Sequence, residues 1–165
     1  MVFLEALSYV VTILGFPVAI FVFVYEQGRR LRAEESELHR RVSEEYDNFL
    51  RLALDNADLL LWRSAGAPAP LSEEQMERRD LLFRMLVSLF EKAYIILYSE
   101  HMDRDARRRW LSWEDDMPEW CRRADFRALL PALLEGEDDA FSAHIRRIAE
   151  AEAVAGAPPA QITGG

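Results

Sequence analysis

The chain has 165 residues, half of them hydrophobic, with a net charge of −9 and a pI of about 4.9. An acidic surface repels phosphate backbones, which argues against nucleic acid as a partner. A single cysteine, Cys121, excludes an internal disulfide and fits a reducing compartment.

The first stretch, residues 6–25 (ALSYVVTILGFPVAIFVFVY), contains no charge. As a helix it would extend about 30 Å, the hydrocarbon thickness of a bilayer, so a transmembrane helix is expected there. Residues 1–5 would be a short extracytoplasmic N-terminus. The leader carries Glu5 and no base, and the run ends in Phe23-Val24-Tyr25-Glu26, unlike a cleaved signal peptide. Arg29, Arg30 and Arg32 follow the run and no Lys or Arg precedes it. The positive-inside rule then implies a single-pass inner-membrane protein with the N-terminus outside and the C-terminal domain in the cytoplasm. Ser8, Thr12, Gly15 and Ala19 recur at steps of four, three and four, placing small residues on one helix face as a candidate contact for a partner helix or a second copy. Pro17 should bend this helix.

Residues 26–45 read as a charged juxtamembrane helical stalk, with Gly28 its weak point. A broader apolar face begins at Tyr46 and continues with Phe49, Leu50, Leu54, Ala57, Leu60 and Leu61, so the helix is expected to reach about Arg63. The prolines of SAGAPAPL, residues 64–71, mark a loop. Ser72 and Gln75 form a capping-box pattern that opens a second helix, running to about Ser99. Its expected buried stripe is Leu82, Met85, Leu86, Leu89, Phe90, Ala93, Tyr94 and Leu97.

Asp103 is a candidate cap for a third helix that Pro118 should interrupt after Met117. Asp125 should cap a short turn, Phe126 to Leu130, stopped by Pro131. Asp138 or Asp139 should open a last helix over Ala140 to Val154, and the Pro/Gly/Ala-rich residues 155–165 read as a disordered tail. No strand pattern occurs. The fold class expected is all-α: one transmembrane helix continuing into a cytosolic helical bundle over residues 46–154.

Three side-chain groups invite a chemical role. Trp110, Trp113 and Trp120 either form an aromatic partner surface or fill the core, the commoner fate of large rings at helical spacing. Arg107 and Arg108, with Arg104 and Arg109, form one basic knot, and Arg122, Arg123 and Arg127 a second. Arginine forks suit an anionic partner, whereas pairing with Glu114, Asp115, Asp116 and Glu119 would leave a solvated face. The histidines His39, His101 and His144 fall on separate segments, and no metal-binding or nucleophilic motif is present, so neither cofactor nor enzymatic activity is expected.

Three segments, TILGFPVAIFVFVYEQ, EKAYIILYSEHMDRDARRRWLSWEDDM and DFRALLPALLEGEDDAFSAHIRRI, together resemble the small single-pass bacterial membrane proteins of the DUF4760-like kind. The resemblance implies the architecture of span plus helical domain and no activity. The functional expectation is a membrane-anchored interaction or sensing module, an adaptor whose partners are the bilayer and another protein or a second copy. The rival expectation is an oligomerising membrane-disrupting effector or small channel component of a bacterial defence or toxin system. It would need a polar face in the span, and only Ser8 and Thr12 supply one.

Overall fold

A computed structural model describes residues 2–62 and 70–156, without the side chains of residues 2–19, 28 and 30–35. The described residues are helical and contain no strand, as the patterning implies. The elements are α1 (Val2–Asp55), a 3-10 turn (Ala57–Leu59), α2 (Glu73–Leu97), α3 (Arg104–Cys121), α4 (Ala124–Leu133) and α5 (Asp139–Ala155). The chain divides into two compact units, Met1–Arg40 and Arg41–Gly165.

In the first unit α1 passes through Gly28 without a break. Its described apolar residues, Ile20 to Tyr25, are all exposed, with Phe21 stacked on Tyr25 at a centroid distance of 6.4 Å. Among the described residues no helix is long and apolar enough to cross a membrane. This overturns the expected single-pass inner-membrane placement, with its outside N-terminus and cytoplasmic domain, and removes the support for a transmembrane assignment of residues 6–25. Physically, Ile20–Tyr25 covers only about 9 Å at helical rise, and charge begins at Glu26. Ser8, Thr12, Gly15 and Ala19 lie outside the residues with described side chains, as do Arg30 and Arg32; Arg29 is exposed.

The second unit is built around a contiguous core. From α1 it takes Val42 and Phe49, from α2 Phe83, Leu86, Val87 and Phe90, from α3 Trp110, Met117, Trp120 and Cys121, and from α4 and α5 Phe126, Phe141 and Ile145. On α2 the buried arc holds Leu82, Phe83, Leu86, Val87, Leu89, Phe90 and Ala93. Met85, expected inside, is 49% exposed because 100° steps carry it past the edge of that arc, while Phe83 and Val87 fall within it.

Local chemistry sets the helix ends. Ser72 Oγ accepts the Gln75 N–H at 3.2 Å, and Gln75 Oε1 accepts the Ser72 N–H at 3.0 Å, completing the capping box. Asp103 Oδ1 accepts from Ala106 N at 2.7 Å and Asp138 Oδ1 from Phe141 N at 2.9 Å, satisfying orphan donors of α3 and α5.

The prolines act differently from expectation. Helix α3 continues past Pro118 to Cys121, and α4 contains Pro131 and spans ten residues instead of a turn. Each proline stands in the last turn of its helix, where a missing N–H disturbs few bonds, and burial of Trp120, Cys121 and Leu133 keeps the backbone helical. The expected cap Asp125 lies inside α4, with Arg123 at the cap position. The expected loop falls largely on residues 63–69, and the expected tail on 157–165, both outside the described residues.

Replacing Ser72 with Ala removes one half of the capping box and should lower stability by about 1 kcal/mol, read from the midpoint of urea unfolding at constant slope.

Candidate functional site

The end of α1 presents apolar residues at helical spacing, Leu50, Ala53, Leu54 and Ala57, on a face that the core does not cover. Asn56 ends the helix, its Nδ2 donating to the Leu52 carbonyl at 2.8 Å. The chain then turns through Leu60, a left-handed residue with φ 49° and ψ 42°. A side chain at such angles costs about 1–2 kcal/mol. The turn brings Leu60, Leu61 and Trp62 back to the helix face, and together these residues line an open apolar cleft of about 480 Å³. Leu54 is 75% exposed and Trp62 64%. The Trp62 ring rests edge-on against buried Trp120 at 5.7 Å, so its orientation is supported although its surface is wet.

Arg123, at the α3–α4 junction, holds the left-handed turn. It is only 2% exposed, and its Nη1 donates to the carbonyls of Leu60 at 3.0 Å and Leu61 at 2.8 Å. Its Nε and Nη2 form a fork on Asp125 at 3.0 and 2.6 Å, and its guanidinium lies 5.6 Å from the Phe83 ring centroid. A second tie joins the same region to the start of α2. Arg78 Nη2 donates to Asp58 at 2.7 Å and Nη1 to Asn56 Oδ1 at 2.7 Å, while Gln75 Nε2 donates to Asp58 at 3.0 Å. The hydrogen bonds from Gln75 and Arg78 hold the Asp58 carboxyl below its ordinary range.

Comparison with protein-family models, with curated proteins and with solved structures gave no match. The functional reading therefore rests on geometry.

The geometry rearranges the residues singled out in the sequence. Trp110, Trp113 and Trp120 are 1%, 4% and 3% exposed: they are core, not partner surface, because each lies on the inner face of α3. Arg107 and Arg108 are exposed on the outer face, with Arg108 near Asp105 at 3.8 Å. The second arginine knot is dispersed. Arg122 pairs with Glu152 at 3.1 Å and reaches Glu119 only at 3.9 Å. Arg127 donates to the carbonyls of Cys121 at 2.6 Å and Arg122 at 2.7 Å, serving orphan acceptors at the end of α3. No common anion site forms from Arg122, Arg123 and Arg127. Among the described residues no group of three His, Cys, Asp or Glu side chains is placed to hold a metal.

Sequence reasoning did not single out Trp62 or Arg123. The available signal was the run Leu59-Leu60-Leu61-Trp62, four consecutive apolar residues where one helix face accounts for only two.

Cys121 is fully buried, and burial pushes its thiol up to about 12. Ellman's reagent should therefore label the native chain only through unfolding, with full reaction in denaturant; rapid native labelling would contradict this placement. Arg123→Met leaves two turn carbonyls and Asp125 without their partner. It should cost about 3–5 kcal/mol in chemical denaturation, well above the loss from a surface pair such as Arg108–Asp105.

Proposed function

We propose that the chain is a protein-interaction module whose cleft at the end of α1 receives an amphipathic helix from a partner protein. The observation that carries this reading is the open apolar cleft itself, with two large exposed side chains, Leu54 and Trp62, over a rigid aromatic floor. Exposed contiguous apolar surface of this kind marks interaction sites, and a groove lined at helical spacing suits the apolar face of another helix. Tryptophan is among the residues that dominate binding energy at interfaces.

Charge supports one kind of partner. Between Arg41 and Trp62 the chain carries Glu44, Glu45, Asp47, Asp55 and Asp58 against Arg41 and Arg51. An incoming helix with basic residues flanking its apolar stripe complements this border, and the net charge of −9 opposes a second copy of the chain. The module binds without chemistry: the cleft contains no nucleophile and no general base.

A synthetic Leu/Lys amphipathic helix tests the reading, with a Leu/Glu helix of the same apolar pattern as control. The basic helix should shift Trp62 fluorescence to the blue, and Trp62→Phe should abolish that shift. Leu54→Asp should weaken binding at least about tenfold, about 1.4 kcal/mol, with unfolding unchanged. Equal binding of the acidic control, or of L54D, would remove the cleft as the site. Dimerisation of the chain alone in sedimentation, lost in L54D, would replace the partner helix with a second copy.

A further inference from the structure

Helix α5 meets its neighbours through two titratable groups that have no part in the cleft. At its N-terminal end, Glu91 of α2 accepts the Asp138 backbone N–H at 2.5 Å, which brings the Glu91 carboxyl beside Glu137. The charged groups around Glu137 are Glu91 and Arg84 from α2, with Asp138 next to it in the chain. Two carboxyls in hydrogen-bond reach share one proton, since ionising both places like charges side by side. The hydrogen bond with Glu91, then burial and the Glu91 charge, raise Glu137 from its ordinary 4.5 to about 7, against the opposing pull of Arg84. This contribution to stability is complete in acid and is lost as pH rises through about 7.

Seven residues further along, His144 is buried, 7% exposed, among the rings of Tyr94, Trp110 and Tyr98 at 5.3, 5.8 and 6.0 Å. Arg147 can only donate, so the 3.2 Å contact from its Nη2 makes His144 Nδ1 the acceptor and leaves the ring proton on Nε2. Nε2 has no partner. The charged groups acting on the ring are Glu114 from α3 and Arg147 from α5, and Tyr94 and Tyr98 face it from α2 and the residue after it. Burial holds His144 below its ordinary 6.5, with Arg147 adding to the effect and Glu114 opposing it. This contribution is complete above about 6.5 and is lost as pH falls, because the unfolded chain takes up the proton more readily.

We propose that α5 is a proton-gated helix: the Glu91–Glu137 pair fastens its start to α2 only while it keeps a proton, and His144 fastens its middle between α2 and α3 only while the ring is neutral. The two requirements overlap near neutrality, and a move in either direction loosens the same helix from opposite ends. Release uncovers Trp110 and Tyr94, so the gate converts a pH change into newly exposed aromatic surface.

Hydrogen exchange of α5 in the full chain, corrected for intrinsic rates, tests the gate at pH 5, 6.8 and 8.5. Protection should be greatest at pH 6.8 and about tenfold lower at both extremes, a size that already allows for solvent screening around the pair. Glu137→Gln should abolish the alkaline loss and leave the acid loss in place, and His144→Gln should do the reverse. If E137Q fails to fold, Glu91→Gln takes its place, since its amide can still accept from Asp138 and donate to Glu137. The carboxyl carbon of Glu137 in the unaltered chain provides a reading without substitution. Its titration below pH 5.5, or equal alkaline losses in the wild type and in the Gln variants, would overturn the gate.

Discussion

The buried guanidinium of Arg123 is the constraint on which the second unit depends. A cation taken out of water needs a partner for nearly every donor, and Arg123 finds its partners on two segments far apart in the chain: Asp125 beside it and the carbonyls of Leu60 and Leu61 some sixty residues earlier. The same contacts satisfy carbonyls that a left-handed residue turns away from any helix ladder. Strain at Leu60 and desolvation at Arg123 are each unfavourable alone, and each offsets the other. The consequence is positional. The turn carrying Leu60, Leu61 and Trp62 is fixed to the α3–α4 junction, so the apolar cleft has a defined wall.

Aromatic packing carries that order inward. Trp120 touches Phe49 at 5.6 Å, Trp62 at 5.7 Å and Phe83 at 6.3 Å, joining α1, the turn and α2 through edge contacts. A second group, Tyr94, Tyr98, Trp110, Phe141 and His144, fills the contact of α5 with α2 and α3. One polar ring inside an otherwise apolar group makes that contact sensitive to protons, whereas the Trp120 group contains no titratable ring.

Much of this was legible in the residues. Capping by Ser72, Asp103 and Asp138 follows from short-range chemistry, and helical periodicity reports the inner faces of α2 and α5 correctly apart from Met85. What the sequence hides is long-range. Nothing local distinguishes Arg123 from its neighbour Arg122, although one is buried and the other pairs at the surface. Pro118 and Pro131 read as breaks because propensity is local, and the burial that overrides it is tertiary. The apolar stretch at residues 6–25 shows the converse: composition alone suggests a span, and the described helix does not supply one.

Lys92, the only lysine in the chain, lies in the middle of α2 and pairs with Glu45 of α1 at 2.5 Å. Amine-directed chemistry, whether acylation or attachment of another polypeptide, has this one side chain besides the terminal amine. A lysine-reading protease likewise has a single target, set in a helix whose neighbouring residues Phe90 and Ala93 are fully buried. A protease needs extended backbone, and α2 cannot supply it while those residues remain packed. One charged residue thus gives the molecule a solitary point of covalent access, guarded by the cohesion of its core.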